Sequence, residues 1–218
     1  MNPSEGRRLE EKEKRREDIL DAAERVFLEK GYEAAKMEDI AAAARVSRAL
    51  LYVYFKDKSE LQFGVCLRGL EVLRQRFEEV VRRPLLGRDK VAAIGRAYLG
   101  FAQQFPVYFS ALSRFEAHRP QLQDEASMEH RLMLAGQAVH AQTVMALLAG
   151  QKDGSIRADI GDPICVAMTL WGFTHGALQL AQTKGAVFVH QGIAVADFLE
   201  QAIQMATRAV SSPPQPNG

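Results

Sequence analysis

The sequence predicts an all-α protein of about nine helices, and three observations carry that prediction. Apolar residues recur at spacings of three, four and seven along nearly every segment. No stretch alternates apolar and polar residues as a half-buried strand does. Loop signals also fall at helix-length intervals: Gly31, Pro84 with Gly87, 150–155, and Asp162-Pro163. With 218 residues, 47% hydrophobic and 25% charged, the chain has an ordinary globular composition. It is long enough for one domain, or a small domain fused to a larger one.

Taken in order, Ile19, Leu20, Ala23, Val26 and Phe27 form one stripe of a first helix over about 8–29, with Gly31 as its stop. A second, short helix is expected at 37–44. After Arg45-Val46, Ser47 is a good N-cap for a third helix, 48–54. Leu61, Val65, Leu70, Leu73, Phe77 and Val80 make the apolar side of a fourth helix, 59–82. Further helices are expected at 88–103, 106–117, 123–149, 162–183 and 192–209, the eighth opened by Asp162 as cap and Pro163 in its first turn. Residues 150–155 read as a loop and 211–218 as a disordered tail.

The formal net charge is only +1, but its distribution is uneven. Residues 7–16 carry six basic and three acidic side chains. Residues 17–39 carry three basic against eight acidic, and 44–58 four basic against one. Local patches, not the total, decide whether a chain meets nucleic acid. Between Pro163 and Thr183 there is no charge at all. Thr169, Thr174, His175, Gln179 and Gln182 interrupt that run, so no membrane span is expected; a charge-poor helix is expected in a core or against another chain.

Two short helices joined by a tight turn beneath a longer first helix make a helix-turn-helix, whose second member must enter the major groove. Leu51, Phe55 and Val46 are expected inward, and Arg48, Ala49, Tyr52 and Val53 outward. The surrounding residues sharpen this: Ile19-Leu20-Asp21-Ala22-Ala23, Phe27, Gly31-Tyr32, Glu38-Asp39-Ile40-Ala41, Val46-Ser47, Leu51-Tyr52, Phe55, Lys58 and Leu61. Over about forty ungapped residues they resemble the DNA-binding domain of the tetracycline-repressor (TetR) family. The stretch 153–159 before the helix bearing Gly176-Ala177-Leu178 also resembles the loop that precedes the family's dimerisation helices.

The resemblance implies a helix-turn-helix domain over 1–58, with recognition helix 48–54, and a helical effector-binding and dimerisation domain over 59–210. It implies a ligand-responsive regulator, a repressor that binds a palindromic operator as a homodimer through helices 162–183 and 192–209. Ser47, Tyr52 and Lys58 would meet phosphates, and Arg48 a guanine edge. Ala49, Leu50 and Val53 would make apolar groove contacts, with Arg45 in the turn and Tyr54 within reach of DNA. Residues 7–16 would be either an arm on DNA or a solvated helix face. The family's chamber for a small, hydrophobic effector would draw on Phe101, Phe105, Tyr108, Phe109, Phe115, His118, Gln137, Trp171 and His175.

Three departures stand out: Lys36 where the family has a hydroxyl cap, Arg45 where it has glycine in the turn, and Ala49-Leu50 where Gly-Thr is common. An enzyme is not expected, because no catalytic or phosphate-cradling motif is present. The histidines lack metal-ligand spacing, and neither metal nor cofactor is expected. Two cysteines and a start without a secretory signal give a cytoplasmic expectation. The competing reading is a helical small-molecule-binding or scaffold protein that does not touch DNA.

Overall fold

A computed structural model describes residues 3–120 and 124–213, with side chains from Glu5 onward. These residues form nine helices: α1 (Pro3–Ala34), α2 (Met37–Ala43), α3 (Arg48–Tyr54), α4 (Lys58–Arg82), α5 (Gly87–Gln104), α6 (Pro106–Glu116), α7 (Met128–Asp153), α8 (Pro163–His190) and α9 (Val195–Val210). They divide into two compact units. The first holds 1–69 and 106–132, the second 70–105 and 133–218.

In the first unit the expected stripe is the core: Ile19, Leu20, Ala23, Val26 and Phe27 are buried, with Ile40, Leu51, Phe55, Leu61 and Val65. Gly31 leaves helical geometry at φ 74, and a short turn of helix continues beyond it to Ala34. The first helix reaches further toward the N-terminus than its apolar stripe predicts, because residues 5–16 are helical yet bury no apolar side chain. Arg68 of α4 fastens α1 to α4. It pairs with Glu17, with Asp21 (2.7 Å) and with Glu24 (2.5 Å), three carboxylates at i, i+4 and i+7 on one side of α1. Tyr108 of α6 donates to the other oxygen of Glu24 (3.1 Å), and Gln62 of α4 donates to the Ala111 carbonyl of the same helix (3.3 Å).

In the second unit, three expected boundaries are corrected. Residues 150–153 are the last turn of α7 and not a loop. Gly150 is there for packing: a Cβ on Gly87 would fall 2.1 Å from the Gly150 Cα, so the start of α5 lies directly on the α7 backbone. Asp153 then caps α5, its carboxylate accepting from the Gly87 N–H (2.8 Å) and the Ser155 N–H (2.9 Å). Helix α7 starts at Met128 and not at 123, since Ser127 Oγ accepts from the His130 N–H (3.1 Å) as an N-cap bond; part of the expected first turn, 121–123, lies outside the described residues. Helix α8 runs past 183 to His190, because neither Lys184 nor Gly185 interrupts its backbone bonding. Its start is as expected, Asp162 accepting from the Ile164 N–H at 3.1 Å with Pro163 in the first turn.

Ser211 bridges Ile156, and the Ser212 N–H donates to the Ser155 carbonyl (3.0 Å), so the end of α9 is tied to the segment after α7. The rest of the expected tail, 214–218, lies outside the described residues. By length and composition, α7 and α8 are each apolar enough to cross a membrane, with mean hydropathies of 1.4 and 1.3. Only a third of each apolar window is buried within the chain.

Candidate nucleic-acid interface

The turn between α2 and α3 has a definite hydrogen-bond pattern. The Val46 N–H donates to the Ala41 carbonyl (3.0 Å) and the Arg45 N–H to that of Ala42 (3.1 Å). This is a Schellman C-cap, which requires a left-handed residue after the helix. Arg45 supplies it at φ 56, the one described non-glycine residue with positive φ. A side chain in that region costs about 1–2 kcal/mol. The departure at Arg45 is therefore met by strain in the expected turn rather than by another turn. At the other end of α2, the Asp39 carboxylate accepts from the Lys36 N–H (3.0 Å) and pairs with Lys30 (2.8 Å). Those bonds hold its acidity below the ordinary carboxylate range, with the Lys30 bond the larger cause.

Ser47 caps α3, its Oγ accepting from the Leu50 N–H at 3.1 Å. That bond uses the oxygen as acceptor and leaves the hydroxyl proton available to a phosphate. Leu51 and Phe55 are buried and anchor the helix, while Val46 is half-buried. Arg48 and Ala49 are exposed, and so are Leu50 (38%), Tyr52 (41%) and Val53 (73%); Tyr54 is half-buried. The outward set thus forms one face of a two-turn helix with bulky apolar groups held in water, and folding alone gives no reason for that.

Arg48 pairs with Glu38 of α2 at 2.8 Å and lies 5.6 Å from the Tyr52 ring centroid. Glu38 was not singled out from the sequence, and only the folded turn brings it to Arg48. The structure gives Lys58 a different neighbourhood from the phosphate contact implied by resemblance. Its ammonium donates to the carbonyls of Tyr32 (2.8 Å), Glu33 (3.2 Å) and Ala35 (3.0 Å) and sits 4.4 Å from the Tyr32 ring centroid. Its three protons satisfy the open end of α1.

The residues expected around an effector separate into two groups. In the first unit, Phe109 is fully buried, and Tyr108 is bound to Glu24; burial and that carboxylate push its phenol up to about 12. Phe115 packs edge-on to Phe63 (5.7 Å), and exposed His118 reaches Glu129 at 2.6 Å. In the second unit, Phe101 lies against Tyr98 (6.3 Å) and Phe105 (5.7 Å). Tyr98 Oη meets His175 Nδ1 at 2.7 Å, and Trp171 lies between the rings of His175 (5.7 Å) and His140 (5.3 Å). Burial lowers the basicity of both His140 and His175, which favours neutral imidazoles. Gln137 is exposed and joins neither group. Tyr98 is the residue that links the second group. Its aromatic type marked it in the sequence, but its bond to His175 is visible only in the fold. Among the described residues, no three His, Cys, Asp or Glu side chains are placed to share a metal ion.

Residues 19–63, which span the turn and α3, match the family "Bacterial regulatory proteins, tetR family". The transcriptional activator FasR of Mycolicibacterium smegmatis is 35% identical over 92 residues, 42% of each chain, so that match spans less than half of FasR's length. The transcriptional repressor KstR2 of Rhodococcus jostii is 31% identical over 152 residues, 67% of this chain and 70% of KstR2. A solved structure of the transcriptional regulator FadR from Bacillus subtilis, in complex with stearoyl-CoA, shares the fold at a TM-score of 0.67 and 16% identity. That alignment covers 88% of this chain and 98% of FadR. With the exposed face of α3 inside the matched segment and KstR2 matched over more than two thirds of its length, the chain belongs to the tetR family of bacterial regulatory proteins.

Proposed function

We propose that the chain is a ligand-responsive, sequence-specific DNA-binding regulator in the cytoplasm. It acts as a repressor that holds a palindromic operator as a homodimer and releases it when a hydrophobic small molecule binds. The family is one of regulators and not of enzymes. One observation carries the reading: Arg48, Ala49, Leu50, Tyr52 and Val53 stand exposed on a helix anchored by buried Leu51 and Phe55. That is the shape and chemistry a major groove accepts.

Arg48 gives bidentate bonds to guanine O6 and N7. The exchange is favourable because its exposed pair with Glu38 is worth about 0–1 kcal/mol, whereas a good bidentate base contact is worth about 1–3. Ser47 and Tyr52 donate to phosphates, Arg45 adds charge beside them, Tyr54 borders the groove, and Ala49, Leu50 and Val53 face thymine methyls. Lys58 holds the end of α1 and so positions α3 instead of gripping DNA itself.

One recognition helix reads too few base pairs for useful specificity, so two are required, spaced about 34–36 Å apart for successive major grooves. Exposed Ile164, Met168, Phe173 and Leu180 on α8, with Met205 on α9, give the second copy an apolar face to cover. The effector lies in the second unit against Phe101, Phe105, Trp171 and His175, where neutral imidazoles suit an uncharged, apolar group. The stearoyl-CoA of FadR and the printed role of KstR2 support a hydrophobic effector and repression. A coupling energy of about 1–3 kcal/mol between effector and operator suffices for release.

Selection of bound fragments from random duplex DNA tests the whole reading. The wild type is expected to enrich a palindrome, and Arg48→Ala to lose preference at one position in each half-site. A wild type that enriches nothing makes the chain a binding or scaffold protein instead.

A further inference from the structure

The sequence leaves residues 7–16 open between an arm on DNA and a solvated face, and the fold separates the two. We propose that the first four turns of α1 form a basic helical rail that docks on the phosphates flanking each half-site. This rests on the DNA-reading function above. Helix α1 begins at Pro3, but its first fully buried side chains are Ile19 and Leu20. The turns before them serve no core, and Leu9 is the single large apolar side chain they carry, itself 58% exposed.

Their charges are sorted by side. At 3.6 residues per turn, Arg8, Lys12, Arg15 and Arg16 fall within about 100° of arc, whereas Glu10, Glu13 and Glu17 gather on the opposite side. Glu11 borders the basic arc, and Glu5 lies at its far tip. Arg16 pairs with Glu13 (3.8 Å) and Glu17 (3.4 Å), but among the described residues Arg8, Lys12 and Arg15 have no ion-pair partner and are exposed. A helix adapted only to water gains more from alternating signs, which pair along its length.

The basic side also has a direction. The Arg16 guanidinium lies 5.2 Å from the ring centroid of Phe55, the residue that closes the recognition helix. The face therefore starts beside α3 and runs outward from it through Lys12 to Arg8. That run is about 12 Å at 1.5 Å per residue, against about 3.4 Å of helix axis per phosphate on one strand, so three side chains span two to four phosphates. Because the segment is helical, about 10–12 Å across, it cannot enter a minor groove about 6 Å wide. Its contacts are with the backbone, and they carry no sequence preference.

The test uses the full chain with Arg8→Gln, Lys12→Gln and Arg15→Gln together, on the selected operator, in duplexes with and without flanking base pairs. All three positions are exposed, and circular dichroism is expected to be unchanged. The slope of log K against log salt is expected to flatten by about 2–3, at about 0.9 per lost phosphate contact. The advantage of flanked over trimmed duplex is expected to vanish, with base preference intact. A triple variant with the wild-type salt slope overturns the rail while leaving the regulator reading standing. A wild type that selects no operator overturns that reading, and the rail with it.

Discussion

The two compact units solve opposite problems with the same secondary structure. In the first, short helices must stand at fixed angles, and individual polar atoms set those angles: Ser47 Oγ on α3, the Asp39 carboxylate on α2, Lys58 on the end of α1, and Arg68 across three carboxylates. In the second, long helices pack by shape. Gly87 against Gly150 and the ring cluster about Tyr98 matter more than any ion pair, and much apolar surface is left uncovered. A reading unit loses function when an angle drifts. A unit that binds an apolar effector and a second copy must instead present apolar surface.

The largest effect expected from this contrast lies in the second unit. Phe173→Glu with Leu180→Glu places two carboxylates on the exposed apolar side of α8, and burying them between copies costs several kcal/mol. Self-association is expected to weaken by roughly a thousandfold or more, about 4 kcal/mol, with helix content retained. Sedimentation at micromolar concentration reads this directly, and a dimer unchanged by both substitutions would remove α8 from the interface. The next effect lies in the first unit. Lys58→Ala leaves three carbonyls without their cation, and it is expected to cost about 2 kcal/mol and lower Tm by about 4–8 °C. Unchanged Tm with weakened DNA binding would return Lys58 to a phosphate. The smallest effect is Arg45→Gly, which removes left-handed strain from the turn. It is expected to raise stability by about 1 kcal/mol, or about 2–4 °C, and a lower Tm would show that the Arg45 side chain stabilises the turn by more than its strain.

The same contrast explains what was legible in the sequence. Helices α2 and α3 were placed to within a residue because caps and turns are local: Ser47, the stretch 44–46, and the i, i+3 bond of Asp39. The inward pair Leu51 and Phe55 followed from periodicity. Boundaries in the second unit were less legible, since glycine has two uses. Gly150 looks like a loop residue and is a packing contact, and Gly185 looks like a stop and lies within α8. Partnerships across the fold, such as Arg48 with Glu38 or Tyr98 with His175, join residues 10 and 77 positions apart, and no spacing rule connects them. The aromatics named for one chamber proved to be distributed between the two units, because aromatic content marks packing as readily as binding.

The abutment of Gly87 on Gly150 has a consequence for how this chain can change over generations. Flexible side chains can swing aside to admit a newcomer, but here the opposing atoms are main chain, at 2.1 Å from a hypothetical methyl. Even alanine at residue 87 would prise the two helices apart, and the Asp153 bond to the same residue would part with them. Descendants of this sequence are thus free to redesign their effector while this one joint stays frozen.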